Sequence, residues 1–361
     1  MLNSAHSIFV DREGCLYTCG HGRRLGHDRD FGCIEQPTPV PSMLDRRIIS
    51  VASSGEHCLA LSAEGEVYSW GDGQYGSLGH GDVAARAVPS RITSLSRIEQ
   101  IAAGLNYTSA AVDEKGNLYT WGVAFTLVAD DDPTGVSGLG YRVSPGTECQ
   151  PTPKRVDELS QERVVGVAPG GGFTLAVTDA GAVFSFGNGS YGMLGHGSYQ
   201  SEVVPRRIEA LAETERRCVA VAAGGCFALA LIEESQVYGW GWGGANGHGR
   251  EEAMPQLVAA LVDERVKLVF AGYASSCAVT ETGELFTWGS ETGIVRGCCN
   301  LGHGVNTLQV TPLRVKGLGG ARVASAAMDP RHTLVADEDG VVWAFGQRNA
   351  LSSHTLRYAR M

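Results

Sequence analysis

One fifteen-residue pattern occurs seven times in this chain and constrains its fold more than any other feature. In the second copy, apolar residues alternate at Leu59 and Leu61, a glycine follows at Gly65, and the copy closes with Trp70-Gly71. The turn residue is glycine in six copies and Ser235 in the other. In every copy, six positions separate it from the closing glycine. The closing glycines are Gly20, Gly71, Gly122, Gly187, Gly241, Gly289 and Gly346.

Each copy is predicted to be a β-hairpin. Alternation with a period of two is typical of a strand with one buried face. The turn glycine supplies a positive φ, which a residue with a Cβ adopts reluctantly. The second strand of each copy carries β-formers, for example Val67-Tyr68.

Three further landmarks fill the interval between hairpins. A Leu-Gly-His-Gly motif occurs at 78–81, 194–197 and 301–304. A short proline-led strand follows, such as Pro89 to Ile92, and proline suits an edge strand because its missing N–H is not needed there. A strand of small apolar residues comes next, such as Ile101 to Gly104. About four strands per repeat of about fifty residues indicate a propeller blade.

These residues resemble the RCC1 family, the regulators of chromosome condensation. The family's signature is similar to Gly55-Glu56-His57 through Gly71, followed by Leu78-Gly79-His80-Gly81. The resemblance covers essentially the whole chain and implies an all-β fold, a seven-bladed β-propeller of RCC1-type repeats with about four strands in each blade. Residues 1–361 are then expected to form a single propeller domain.

Ring closure is the open point of this organisation, because seven hairpins alternate with only six complete connectors. We expect the two ends of the chain to meet within one blade, the blade that contains His6 to Gly20. Part of Gln347 to Met361 is the candidate for completing it. The sequence does not choose the closing strand, nor does it decide between a whole protein and a domain of a longer one.

Composition narrows the class of partner. The chain carries 39 acidic and 29 basic residues, a net charge of −10, which argues against a sequence-independent binder of nucleic-acid backbones. This charge suits solubility or a basic protein partner. No long apolar run and no signal-peptide pattern occur, so we expect no membrane insertion, and we expect a cytoplasmic monomer with a nuclear location as the alternative. The ten cysteines are interpreted as reduced core thiols.

Several motifs that suggest chemistry are better explained by the repeats. Gly71 to Gly76 matches the dinucleotide fingerprint, but no helical pattern follows to bind a pyrophosphate. Five histidines recur at equivalent positions in different blades, too far apart to share a metal, and are predicted to make a repeated structural hydrogen bond. They are His27, His80, His196, His248 and His303. No catalytic, cofactor-binding or metal-binding residue is predicted, and no cofactor is expected.

Departures from the repeat give the candidate contact residues. The longest interval contains Asp130, Asp131 and Asp132, followed by proline and glycine, which predicts a solvent-exposed loop. Such a loop is either a contact for a basic or nucleotide-binding partner or a solvated insertion. A second insertion, from Ser290 to Asn300, contains Arg296. Glu56 and Asp329 add carboxylates to turns after the small-residue strands.

The resemblance also implies one activity. The family's founding member is an exchange factor for the small GTPase Ran, with a wedge where residues 123–137 lie here. Such a wedge would stabilise the nucleotide-free GTPase through a coupling free energy and would need no covalent chemistry. The founding member also uses acidic turns in consecutive blades, whereas Leu105-Asn106 and Gly170-Gly171-Gly172 are not acidic.

A plant ultraviolet photoreceptor shares the fold, but its Gly-Trp-Arg-His-Thr motif does not occur in this chain. The sequence therefore favours a regulatory protein–protein interaction platform. The alternative is guanine-nucleotide exchange on a small GTPase, of the Ran type or another. Propellers host many activities on their loops, so the fold alone does not choose between the two.

Overall fold

The computed structural model describes residues 6–22, 24–28, 32–124, 136–144, 147–213, 216–289, 300–304, 308–329 and 332–346. Within these ranges the strands form seven antiparallel sheets, and the helical segments are short. The predicted all-β, seven-bladed β-propeller is confirmed, with one sheet for each repeated hairpin.

The strands follow chain order within every sheet. Two sheets have three described strands: β1 (His6–Val10), β2 (Leu16–His21) and β3 (Cys33–Pro39) in the first, and β24 (Val323–Met328), β25 (His332–Asp337) and β26 (Val342–Gly346) in the last. The second sheet comprises β4 (Ile48–Ser53), β5 (His57–Ser62), β6 (Val67–Gly71) and β7 (Arg86–Arg91). The third comprises β8 (Ile98–Ala103), β9 (Thr108–Asp113), β10 (Leu118–Val123) and β11 (Cys149–Arg155).

The remaining three sheets have four strands each. The fourth comprises β12 (Val164–Pro169), β13 (Phe173–Thr178), β14 (Val183–Gly187) and β15 (Glu202–Arg207). The fifth comprises β16 (Cys218–Ala223), β17 (Phe227–Ile232), β18 (Gln236–Gly241) and β19 (Glu252–Leu257). The sixth comprises β20 (Val266–Ala271), β21 (Ser275–Thr280), β22 (Leu285–Gly289) and β23 (Gln309–Arg314).

Helical segments occupy only the connections. Among the described residues, the single α-helical turn is α1 (Glu209–Ala212). The 3₁₀ turns are Pro41–Met43, Gln74–Gly76, Asp157–Leu159, Ser190–Gly192, Glu233–Ser235 and Ala259–Leu261. No helix in the part of the chain that is described has the length and apolar character needed to cross a membrane.

The hairpin turns have the backbone conformation that the glycine pattern predicts. Gly65 has φ +77°, and Ser235, the exception to the glycine pattern, also has a positive φ of +67°. The preceding residue, Glu234, has φ +62°, so this turn holds two residues with side chains in the left-handed region. The repeat therefore imposes the conformation even where glycine is absent.

The prediction of a single buried face for the hairpin strands is wrong. All six residues of β5 are buried, because each of its faces packs against a neighbouring blade. Cys58 and Ala60 pack in a cluster with Leu16 and Trp70, whereas Leu59 and Leu61 pack with Ala111 and Trp121. In β5 the alternation therefore places small residues on one face and large apolar residues on the other, and both faces are buried.

The tryptophans of the Trp-Gly pairs lie in the core, as predicted. Trp70, Trp121, Trp240 and Trp288 are fully buried. Trp288 packs against Leu229 and Leu231 of the preceding blade. In the five four-stranded sheets, the proline-containing strand lies at one edge and the small-residue strand at the other, in the predicted order. The predicted start of the edge strand is wrong, because β7 begins at Arg86, three residues before Pro89.

The cysteines are less uniform than predicted. Cys19, Cys58, Cys218 and Cys277 are buried, but Cys33 is exposed because it begins the edge strand β3. None of the eight described cysteines forms a disulfide. Cys298 and Cys299 lie outside the described residues.

The chain divides into two compact units, which are described separately. Unit 1 comprises Met1–Asp179 with Phe186–Asn188 and Glu202–Arg206, and unit 2 comprises Ala180–Ser185, Gly189–Ser201 and Arg207–Met361. The predicted ring closure involves residues 1–5 and 347–361, which lie outside the described residues, so both the closure and the single-domain assignment stay predictions.

Candidate functional site

Each blade presents two kinds of connection at one edge, which we call its loop edge. In the second blade His57 pairs with Gly71, so the turn before β5 and the loop after β6 emerge together. The backbone N–H of Asp72 then donates to the carbonyl of Glu56 at 2.9 Å. The opposite edge, which carries the hairpin turns such as Gly65, is called the hairpin edge.

The closing glycine makes this junction possible. Gly187 has φ +113°, and a Cβ built there would lie 2.5 Å from the carbonyl oxygen of Gly172 and 2.6 Å from the Cα of Phe173. The loop that follows begins with a 3.0 Å bond from the N–H of Asn188 to the same Gly172 oxygen. A side chain at the closing position would therefore separate the loop from the turn.

The loops are tied to the next blade through backbone carbonyls. The carbonyl of Ser77 accepts bonds from Trp121 Nε1 at 2.8 Å and from Ser109 Oγ at 2.9 Å. The same relation joins Trp70 to Arg24, Trp240 to Met193 and Trp288 to Ala245. The same hydrogen bond thus attaches each of these loops to the next blade, and it uses the backbone of the loop and not the loop's own side chain.

The repeated histidines make the predicted structural hydrogen bond. His80 Nε2 lies 2.9 Å from Ser69 Oγ, whose hydroxyl donates to the carbonyl of Leu78 at 2.7 Å. Because that hydroxyl proton is used, His80 must donate through Nε2–H. Burial lowers the pKa of His80, which favours this neutral form. Equivalent bonds join His27 to Thr18, His196 to Ser185 and His303 to Thr287.

His248 differs because its blade has no hydroxyl to receive it. Gly239 occupies the position of Ser69, and His248 Nε2 instead lies 3.2 Å from the carbonyl of Gln256. No group of three or more histidine, cysteine, aspartate or glutamate side chains within the described ranges is placed to hold a metal ion.

Glu56, one of the predicted contact residues, is engaged within unit 1. Its carboxylate forms an ion pair with Arg24, and both side chains are largely shielded from solvent, at 17% and 15% exposure. Burial raises the pKa of Glu56, Arg24 opposes this shift, and Asp72 adds to it. Glu56 is therefore half-buried beside a second carboxylate.

Tyrosines complete this part of the loop edge. Tyr107 immediately precedes β9 as Glu56 precedes β5, and the N–H of Val123 donates to its carbonyl at 3.3 Å. Its ring meets that of Tyr75 edge to face, with centroids 5.2 Å apart and planes at 74°. Burial, then Glu56 and Asp72, raise the pKa of Tyr107 to about 12. Glu56, Asp72, Tyr75, Tyr107 and Arg24 are called the tyrosine–carboxylate corner.

Asp329, another predicted contact residue, is not equivalent to Glu56. Its Oδ1 accepts the backbone N–H of His332 at 3.1 Å, and its own N–H donates to the His332 carbonyl. Ser54 bears the same relation to His57, with its Oγ 3.3 Å from the His57 nitrogen. The Asp329 carboxylate thus holds its own turn, as a serine hydroxyl does in the second blade.

The loop edges of unit 2 carry two partly exposed tyrosines. Tyr191 is 44% exposed and Tyr273 is 39% exposed. Burial, then Cys226 and Tyr191, raise the pKa of Tyr273, and the N–H of Gly225, next to Cys226, donates to the Tyr273 carbonyl at 2.8 Å. Burial alone raises the pKa of Cys226 to about 11. Tyr191, Cys226 and Tyr273 are called the aromatic patch.

The other predicted contact residues fall outside the described part of the chain. These are Asp130, Asp131, Asp132 and Arg296. Of the predicted contact residues, the structure describes Glu56 and Asp329. It surrounds Glu56 with residues that the sequence reasoning missed. Tyr75 and Tyr107 have positive φ values, +57° and +55°. The sequence reasoning missed them because it located positive-φ positions only from glycines.

The hairpin edges hold a second feature missed from the sequence. An arginine precedes six small-residue strands, and its carbonyl accepts an N–H from the next hairpin turn, as Arg97 does from Glu114. Arg97 also pairs with the Glu114 carboxylate at 2.7 Å. The arginines are Arg47, Arg97, Arg163, Arg217, Arg265 and Arg322. Their spacing in the sequence could have revealed them, and their contacts make them structural.

His57 is the most strongly perturbed histidine at the loop edge. It is fully buried, with Nε2 2.7 Å from Ser109 Oγ and Nδ1 3.0 Å from Ser54 Oγ. Burial first, then Arg24 and His6, lower the pKa of His57 to about 3. Phe173 and Phe227 occupy its position in other blades, so the predicted packing role fits, with two hydrogen bonds added.

The chain matches known proteins along its repeated segments. The model of the regulator of chromosome condensation (RCC1) repeat matches residues 13–61, 64–111 and 180–231, and a second model of that repeat matches 48–77 and 266–292. The ultraviolet-B receptor UVR8 of Arabidopsis thaliana is 32% identical over 359 residues, covering 93% of this chain and 77% of its own length. The chain belongs to the RCC1 repeat family.

Other members differ widely in size. The E3 ubiquitin-protein ligase HERC2 of Homo sapiens is 38% identical over 349 residues, but this match spans only 7% of its length. Among solved structures, yeast RCC1 (Prp20) bound to Kap60 superposes with a TM-score of 0.77 at 23% identity, over 97% of this chain and 84% of that one. Human WBSCR16 superposes with the same TM-score over 92% and 85% of the two chains. At 23% sequence identity, both superpositions show a similar fold.

Proposed function

We propose that this RCC1-type propeller is a regulatory protein–protein interaction platform that binds its partner at the loop edges of its blades. The carrying observation is the aromatic patch. Tyr191 and Tyr273 expose large parts of rigid rings in unit 2, and aromatic side chains are enriched in the centres of protein interfaces. A tyrosine ring offers apolar area together with a hydroxyl, at little cost in side-chain entropy.

The backbone of the patch supports the same proposal. Tyr191 has φ +58°, a conformation that costs a residue with a Cβ on the order of 1 kcal/mol. Residues in such conformations cluster at ligand-binding and switch segments. The Ser190–Gly192 turn is fixed by a 3.0 Å bond from the N–H of Gly192 to the carbonyl of Gly189, so the ring is presented by an ordered loop.

Affinity capture with matched variants tests the platform. The immobilised protein is compared with the double variant Tyr191→Ser/Tyr273→Ser in an extract of its own cells. The control is Val262→Ser, which alters a side chain that is 55% exposed at a hairpin edge of the same unit. We expect the captured partners to be lost with the tyrosine variant and kept with the valine variant. Equal capture by all three proteins would refute binding at this patch.

Guanine-nucleotide exchange is the alternative function. A structure of the yeast RCC1 homologue Prp20p is described together with its binding properties to Gsp1p and histones, and its fold is similar, with a TM-score of 0.74. At the Glu56 position the other blades carry Tyr107, Gly172, Cys226 and Ala274, so Glu56 is the one carboxylate among these five described positions. This composition does not favour a row of acidic contacts to a GTPase.

Release of a fluorescent GDP analogue from Ran and a panel of other small GTPases separates the two functions. An exchange factor accelerates release from one GTPase and binds its nucleotide-free form far more tightly than its loaded form. A platform does neither. Changing Asp130, Asp131 and Asp132 to alanine is expected to abolish any acceleration if that loop is the wedge.

We further propose that the protein acts as a monomer in the cytoplasm, with a nuclear location as the alternative. Its net charge of −10 supports solubility and gives no basis for direct binding to nucleic acid. Light scattering over a range of concentrations tests the monomer, and imaging of a fluorescent fusion tests the location.

A further inference from the structure

The tyrosine–carboxylate corner of unit 1 has an excess of negative charge. It contains the carboxylates of Glu56 and Asp72 but one described cation, Arg24, which pairs with Glu56. Asp72 accepts the backbone N–H of Gln74 through Oδ1 at 2.9 Å, and no cation of the described ranges forms an ion pair with it. One carboxylate of the corner thus stays available to a positively charged group.

The corner is rigid before anything binds. The Asp72 N–H is bonded to the Glu56 carbonyl at 2.9 Å, and the hydroxyl of Ser77 donates to the Asp72 carbonyl at 2.8 Å. The Ser77 carbonyl is in turn held by Trp121. Because the loop that carries Asp72 is already fixed, pairing of its carboxylate with a ligand costs little conformational entropy.

The rings decide which cation fits. Tyr75 and Tyr107 contact each other edge to face at 5.2 Å, which leaves no gap between them for a rounded trimethylammonium group. Tyr75 and Tyr107 are both partly exposed, so a group from solvent can reach the pair. A guanidinium is planar, stacks flat on aromatic rings and pairs with a carboxylate through two N–H groups at once, whereas an ammonium group is a compact, strongly hydrated charge without that planar fork.

We infer that the tyrosine–carboxylate corner is a subsite for one arginine side chain of a partner protein, which pairs with the Asp72 carboxylate and stacks on the Tyr75–Tyr107 pair. This inference rests on the proposed platform function and adds the chemistry of one contact to it. The subsite lies in unit 1 and shares no residue with the aromatic patch of unit 2.

The test uses N-acetyl-arginine amide as the probe and the full chain labelled with 3-fluorotyrosine. The chain has eleven tyrosines, so the ¹⁹F resonances of the corner are assigned with Tyr75→Phe and Tyr107→Phe. We expect both resonances to shift with saturation at millimolar probe, while the other resonances stay in place. The lysine and trimethyl-lysine amides should bind several-fold more weakly.

Two variants locate the binding. Asp72→Asn keeps an oxygen for the Gln74 N–H but removes the charge, and we expect affinity for the arginine probe to fall about tenfold, the loss of one charge-assisted pair. Asp82→Asn is the control, because Asp82 already pairs with Arg86 at 3.0 Å. The unshifted tyrosine resonances report whether each variant stays folded.

Each of three results would overturn the subsite: no saturable shift, equal binding of arginine and lysine probes, or an unchanged affinity in Asp72→Asn. Because the probe needs no partner protein, this test can fail while capture through the aromatic patch succeeds, and the reverse holds as well. If Asp72→Asn loses its fold, Tyr75→Leu repeats the test by removing the stacking ring and leaving the carboxylate.

Discussion

The indole nitrogen of Trp121 donates a 2.8 Å hydrogen bond to the carbonyl oxygen of Ser77, which lies in the loop of the preceding blade. The bond joins a fully buried side chain to backbone, and equivalents recur at Trp70, Trp240 and Trp288. It connects the packing of the core with the position of the loop edge, which carries the candidate site.

Replacing Trp121 with phenylalanine should therefore destabilise the protein by about 2 kcal/mol, because it removes both the donor and part of a buried ring. The Ser77 carbonyl keeps its bond from Ser109, which limits the loss. Urea unfolding measures the change. Trp343→Phe is the control, since that indole donates to Asp337 from a partly exposed position, and an equal loss there would contradict the special role of the Ser77 bond.

His57 should make stability depend on pH. Its pKa of about 3 in the folded chain lies below its usual value of 6.5, so the unfolded chain binds the proton more readily between these two values. The free energy of unfolding should thus be fully retained above about pH 6.5 and fall by up to about 1.4 kcal/mol per pH unit as the pH drops towards 3.

His57→Phe isolates this contribution, because Phe173 and Phe227 show that the position accepts the ring. Ser109 still donates to the Ser77 carbonyl in the variant, so that hydroxyl is not left unpaired. Thermal unfolding between pH 4 and 8 should give a shallower dependence in the variant. Parallel curves for the two proteins would show that His57 does not titrate as described.

Gly187→Val should prevent folding or cost more than about 4 kcal/mol, because a Cβ at this φ of +113° meets the backbone of Gly172 and Phe173. Gly317→Val provides the comparison. Gly317 has no heavy atom within 4 Å of a built Cβ and does not have a positive φ. Soluble yield and melting temperature distinguish the two, and similar behaviour would remove the steric explanation.

Ser235→Gly should raise the free energy of unfolding by up to about 1 kcal/mol, because serine holds a φ of +67° where the other six copies have glycine. The gain is limited by the greater freedom of glycine in the unfolded chain. Ser235→Ala retains the unfavourable conformation and should give no gain. A rise in both variants would point to the serine hydroxyl and not to the backbone.

The repeated backbone of this fold could be predicted from sequence because glycine, proline and tryptophan each mark one required geometry. The hairpin turn at Gly65 and the buried Trp70 lie where the pattern places them, and Pro89 lies in an edge strand, although that strand begins earlier, at Arg86. The burial of both faces of β5 could not be inferred, since periodicity describes one strand and not what packs on its second face.

The candidate site was predictable only in part. Glu56 was singled out for its charge, but its pairing with Arg24 joins residues of two blades, and no local pattern encodes that contact. The turn that ends at Tyr107 is one residue longer than that of the second blade: the N–H of Gly104 bonds to the carbonyl of Thr108, four positions on, whereas that of Ser54 bonds to the carbonyl of His57, three positions on.

Because the loops are attached through carbonyl oxygens, the amino acid at the attachment point is unconstrained by the attachment itself. Arginine, serine, methionine and alanine all serve at the positions of Arg24, Ser77, Met193 and Ala245. Ser77, Met193 and Ala245 are buried, so packing and not the hydrogen bond selects their side chains. A substitution that packs equally well at one of these positions would leave the buried indole its acceptor.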